Sequence, residues 1–186
     1  MTLAREPQTD KKTFNISPLI RYTLLLLYLA LTIPLPFLAK VTAAPVSPNF
    51  LWIGIAIGAI IIFGLLSQKV ILDETRIQVT YPRWIPSRII PGWSLPWEKV
   101  AQLKMRTTGQ GGLVYYLVTL EKDRAYLLPM RIAGFAKMVA FLEQKTGIDT
   151  SAVRPLAQPW MYFILLACTF LLLLVDSWAI WKSISL

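Results

Sequence analysis

Residues 50–81 read FLWIGIAIGAIIIFGLLSQKVILDETRIQVTY, and the chemistry of the chain changes inside that stretch. Up to Leu66 the run carries no charged residue and no polar stripe of helical period. At about 1.5 Å per residue, a helix of this length reaches the lower limit for crossing a bilayer core. After Ser67 and Gln68 the pattern becomes that of a β-hairpin. Asp73-Glu74-Thr75 is polar and turn-forming, and Ile77, Val79 and Tyr81 then alternate with Gln78 and Thr80. A membrane helix that runs directly into a sheet is the reading from which the rest follows.

Two further blocks match the first half of that stretch. YTLLLLYLALTIPLPFLA (22–39) and WMYFILLACTFLLLLVDSWAIW (160–181) each have the length of a span. Three buried helices of a soluble protein would need a large polar shell. A chain of 186 residues, 55% hydrophobic and 16% charged, does not supply one. Val41-Thr42-Ala43 imitates a signal cleavage site, but the first block is longer than a signal core and a second block follows at once. Retention as a helix is expected, with Pro34 and Pro36 bending or ending it. Cys168, the single cysteine, lies in the third block and acts there as a small apolar residue.

The net charge of +9 implies an anionic environment, and the apolar blocks make it lipid rather than nucleic acid. Arg5, Lys11, Lys12 and Arg21 precede the first block, whereas the short connection after it carries only Lys40. The positive-inside rule places the N-terminus and the middle segment in the cytoplasm and the C-terminus on the opposite side. The expected division is a tail (1–21), a two-helix hairpin (22–68), a cytoplasmic domain (69–149), a linker (150–159), a third span (160–181) and an outer tail (182–186).

The middle domain reads as strands followed by a helix. Ala101, Leu103 and Met105 alternate with Gln102, Lys104 and Arg106, and TTGQGG then turns the chain into LVYYLVTLE. AYLLP is a last strand. In RIAGFAKMVAFLEQKTG the period becomes 3.6, with Ile132, Phe135, Met138, Val139 and Leu142 on one stripe and Gly147 at the stop. One sheet face covered by one amphipathic helix is expected, giving an α+β membrane protein.

ILDETRIQVTY, SLPWEKVAQL, and YYLVTL–YLLP followed by FAKMVAFLEQKTGI resemble the bacterial pleckstrin-homology-like (PH-like) domains of small membrane proteins. The resemblance spans roughly residues 70–148, and Leu95-Pro96-Trp97-Glu98-Lys99-Val100 is its most specific segment. It implies a PH-like fold and a scaffold that recruits another membrane protein. It does not imply phosphoinositide recognition, because the fold carries unrelated binding functions.

Between hairpin and PWEKV lies YPRWIPSRIIPGWS (81–94), too rich in proline for a helix and too apolar for an ordinary loop. Three occupants suit it. Trp84, Ile85, Ile89, Ile90 and Trp93 suit the bilayer surface, with Arg83 and Arg88 at headgroups. The same residues suit the open end of the sheet, where Trp97 belongs, or a protein partner, for which tryptophan and arginine are favoured. Arg83, Trp84, Arg88 and Trp93 form the candidate recognition surface. Gly54 and Gly58 form a small-xxx-small step for helix packing. Asp176 is an intramembrane polar candidate, read first as a hydrated carboxylate near the interface and second as an ion or partner contact.

Catalytic chemistry has little to build on. There is no histidine, no cysteine pair, no paired-carboxylate spacing and no nucleophile elbow. Gly109-Gln110-Gly111-Gly112 lacks the Lys-Ser/Thr and helix of a phosphate loop. The expectation is a non-enzymatic scaffold or assembly factor without cofactor or metal. Its expected partners are membrane lipids and a membrane protein or a second copy of the chain. A transporter accessory subunit (or small-molecule transporter) and an anionic-lipid-binding module are the alternatives.

Overall fold

The computed structural model describes residues 11–109, 113–153 and 159–184, in two compact units of residues 11–16 with 68–153 and 17–67 with 159–184. In chain order the elements run β1 (Lys12–Asn15), α1 (Pro18–Thr32), α2 (Pro34–Val41), α3 (Pro48–Leu65), β2 (Lys69–Leu72), β3 (Arg76–Thr80) and β4 (Trp93–Pro96). A 3-10 turn, Trp97–Lys99, leads to β5 (Val100–Thr107), β6 (Leu113–Thr119), β7 (Ala125–Leu127), α4 (Phe135–Thr146) and α5 (Pro159–Ile184).

The first unit holds two antiparallel sheets, β1-β2-β3-β4 and β5-β6-β7, rather than the single sheet expected. The physical reason lies at the 3-10 turn, where Pro96 ends β4 and the chain bends before Val100. One core is drawn from both sheets and from α4. Val70, Leu72, Ile77 and Val79 are buried from the first sheet, Tyr115 and Leu117 from the second. From α4 come Phe135, Met138, Val139, Phe141 and Leu142, so the 3.6-residue stripe is the buried face. Ile132 belongs to that core but precedes the helix, in a bridge to Ile16. Gly147 closes α4 in a left-handed conformation (φ 69°), its N–H donating to the Glu143 carbonyl across 2.7 Å.

The edge strand β1 comes from the segment expected to be tail. KTFN pairs with β2 in the register Phe14↔Val70 and Asn15↔Lys69. Four residues with one apolar side chain offer no alternation to read, so only pairing reveals the strand. The expected linker likewise begins inside the domain. Thr150 is buried and donates to Glu143 across 2.5 Å, and Tyr115 donates to the Ala152 carbonyl across 3.1 Å. Residues 154–158 of that linker, and Gln110, Gly111 and Gly112 of the TTGQGG turn, lie outside the described residues.

The second unit is helical. Three helical stretches are long and apolar enough to cross a membrane: Pro18–Val41, Pro48–Leu65 and Pro159–Lys182. The first is interrupted at Ile33, where Pro34 removes a backbone donor and starts α2. Phe50, Ile57, Leu171, Leu174 and Trp178 expose more than half their surface. Such a wide apolar exterior suits a hydrocarbon surround. Within the unit, α1 packs on both α3 and α5.

Candidate functional site

The segment 81–92 is built from its prolines. Pro82 and Pro86 each open a tight turn, with Ile85 N–H donating to the Pro82 carbonyl (3.0 Å) and Ile89 N–H to the Pro86 carbonyl (2.9 Å). Proline fixes φ in advance, so the loop loses little entropy when it adopts this shape. Both ends are tied down. The Gln68 side-chain amide donates to the Tyr81 hydroxyl across 2.8 Å. At the other end a Cβ on Gly92 would sit 2.5 Å from the Val79 carbonyl oxygen, so only glycine permits that close approach. Burial pushes the Tyr81 phenol above its usual range, with the Gln68 hydrogen bond opposing.

The loop presents a mixed surface above an open groove of about 630 Å³ that runs along β3 and β4. Trp84 is 51% exposed and Ile89 72%, while Arg83 and Arg88 are exposed beside them. Arg83, Ile85 and Ile90 also line the groove, opposite Tyr81 and Trp93. The arrangement offers apolar area and positive charge together, on a frame that is ordered beforehand. Among the described residues no cluster of His, Cys, Asp and Glu has metal-binding geometry.

Trp93 lines the groove from the strand side rather than from the exposed loop. It lies in β4 opposite Val79, is partly buried against the core, and packs on Tyr126 with ring centroids 5.0 Å apart. The row Trp93, Leu95, Trp97 carries the signal that identifies it. Two-residue spacing sends all three toward the same interior, and Leu95 and Trp97 are buried.

The two glycines of α3 separate in role. A Cβ on Gly58 would lie 2.2 Å from the Tyr28 hydroxyl oxygen, and that hydroxyl donates to the Ile55 carbonyl across 2.9 Å. Gly58 therefore serves packing of α3 on α1 within the chain. Gly54 faces open space. Asp176 lies two turns before the end of α5, and its buried Oδ2 has no hydrogen-bond partner among the described residues. Lys182 rests over the Trp178 ring, 5.9 Å from its centroid.

No family model matches the chain, and no solved structure matches it. It is 52% identical over 163 residues to "Uncharacterized protein slr0269" of Synechocystis sp. (strain ATCC 27184 / PCC 6803 / Kazusa), covering 87% of this chain and 82% of that one.

Proposed function

The chain belongs to the same family as that Synechocystis protein, and we propose that it is a non-enzymatic, membrane-anchored scaffold or assembly factor. In this reading the first unit is a PH-like domain in the cytoplasm, and its 81–92 loop docks another membrane protein at the bilayer surface. The PH-like reading draws on a four-stranded and a three-stranded antiparallel sheet sharing one core with a C-terminal helix. The cytoplasmic placement draws on the lysines and arginines that flank the first two apolar helices.

The observation that carries the docking role is the exposure of Trp84 and Ile89, each next to an exposed arginine (Arg83 and Arg88), on a loop anchored at both ends. Exposed tryptophan beside arginine is the composition of a binding hot spot, and a pre-shaped loop binds without a large ordering cost. An anionic-lipid role would use the same arginines at headgroups. A role in transport is favoured by one observation, the unpartnered buried oxygen of Asp176.

Purification in native nanodiscs, comparing wild type with Trp84→Ala/Arg88→Ala, tests the docking role. Co-purification of one membrane protein with wild type only supports it. A strictly solitary wild-type chain rejects it in favour of lipid binding. Transport lost in Asp176→Asn with unchanged co-purification favours the transport reading instead.

A further inference from the structure

A second polar surface lies on the other sheet. Alternation along β5 sends Gln102, Lys104 and Arg106 to the exposed face, while Leu103 packs toward the core. On β6, Tyr116 stands opposite Lys104 in the ladder. With Lys122 and Arg124 from the β6–β7 turn, these side chains line a cleft of about 370 Å³.

The charges in this cleft are unbalanced. Asp123 is already engaged, accepting the Thr119 hydroxyl across 2.7 Å and pairing with Arg124 across 3.5 Å. Glu121 also acts on Arg124. Among the described residues, Lys104, Arg106 and Lys122 have no ion-pair partner. Like charges gathered around a concavity repel one another, and an anion placed between them reverses the sign of that energy. Residues i and i+2 of a strand stand about 6.5–7 Å apart. That spacing lets two long cationic side chains reach one tetrahedral anion.

Lys122 supplies an independent signal. Its φ is 55°, in the left-handed region that glycine or asparagine occupies at least cost. A lysine there carries a backbone cost that glycine would not, and it sets a positive charge at that point of the turn.

We infer that this cleft binds a phosphate group, free or carried on a lipid headgroup, through Lys104, Arg106 and Lys122, with the Tyr116 hydroxyl as a further donor. The site is on a different sheet from the 81–92 loop and stands independently of the docking role. A compact anion fits a concavity over the sheet face. An acidic peptide would instead run along a strand edge, as added strands do.

The test uses the full-length protein in phosphatidylcholine nanodiscs, titrated with inorganic phosphate and separately with soluble dibutanoyl phosphatidic acid. Chloride at equal ionic strength is the control, and calorimetry is the readout. Saturable binding is expected, at least tenfold weaker in K104Q/R106Q/K122Q. Binding of both probes identifies the phosphate group itself as sufficient; binding of phosphatidic acid alone identifies the lipid headgroup as the source. K122G separates binding from folding, since it removes one cation and relaxes the turn. Its thermal midpoint is expected to hold or rise while affinity falls. No binding of either probe overturns the inference, as does equal affinity in the triple variant. Binding of a glutamate-rich peptide in place of both probes overturns it too.

Discussion

The indole N–H of Trp97 donates to the backbone carbonyl of Asp73 across 2.9 Å, and the Trp97 backbone N–H donates to the Thr75 carbonyl across 3.0 Å. The first residue after the first sheet therefore clamps the turn between β2 and β3. Its ring is buried and packs on Phe141 of α4, centroids 6.1 Å apart. One side chain thus joins a turn, the passage between sheets and the helix. Trp97→Phe keeps most of the packing but strands a carbonyl, costing about 1–3 kcal/mol. Trp97→Ala also opens a cavity, for about 3–5 kcal/mol. Urea-dependent proteolysis of the domain in the full-length protein reads both, and equal losses would contradict this division.

The same turn makes stability sensitive to acid. Burial alone would raise the Asp73 carboxyl. Hydrogen bonds from the Thr75 backbone N–H and hydroxyl, and from the Arg76 backbone and guanidinium, outweigh it and hold the group below the usual carboxylate range. The folded state then binds the proton more weakly than the unfolded chain. The contribution is complete above the ordinary carboxylate range and disappears as pH falls through the lowered folded value. Asp73→Asn should flatten the acid limb of the stability profile below pH about 4. An unchanged limb would place the acid sensitivity elsewhere.

In the helical unit, Gly58→Ala drives a methyl into the Tyr28 hydroxyl and breaks its bond to Ile55. Overpacking of this kind costs about 1–3 kcal/mol. Removing the hydroxyl makes room, so Tyr28→Phe should recover part of the loss when combined with Gly58→Ala. Thermal denaturation in detergent across the four-variant cycle checks it, with strictly additive losses as the contrary result. Gly54→Ala, facing open space, should leave the midpoint unchanged.

The apolar blocks and the 3.6-residue stripe were legible in the sequence because each repeats a strong signal over many residues. Phe135, Met138, Val139 and Leu142 needed nothing more than spacing to be placed in the core. Lys12–Asn15 was illegible for the opposite reason: a four-residue edge strand owes its existence to its partner Lys69–Leu72. The loop at 81–92 was readable from its prolines, yet its boundary was not. Trp93 looks like Trp84 in composition and differs only in register, which pairing with Val79 decides. The cationic cleft escaped because Lys104 and Lys122, 18 residues apart, meet only through the β5–β6 ladder.

Leu142 is fully buried beneath both sheets' core residues. Leu142→Asp places a charge where no partner can reach it, and the domain should lose its protease resistance. Membrane insertion should persist, because the three apolar helices do not contain the substitution. Resistance equal to wild type would remove α4 from the core.

Orientation yields its own outcome. In a Cys168→Ser background, single cysteines at the exposed positions Lys137 and Lys182 should react with an impermeant maleimide from opposite sides of sealed vesicles. Labelling of both from one side would contradict the assignment of the N-terminus and middle domain to the cytoplasm.

The most direct test of the docking role is a photo-crosslinking amino acid placed at Trp84, compared with the same group at the exposed Gln144 of α4. Illumination of intact native membranes should give one discrete adduct with a membrane protein from position 84 and none from position 144. The adduct should disappear when Arg83 and Arg88 are both changed to alanine in a chain that still folds. Adducts with lipid alone from position 84, or the same protein adduct from both positions, would contradict the account.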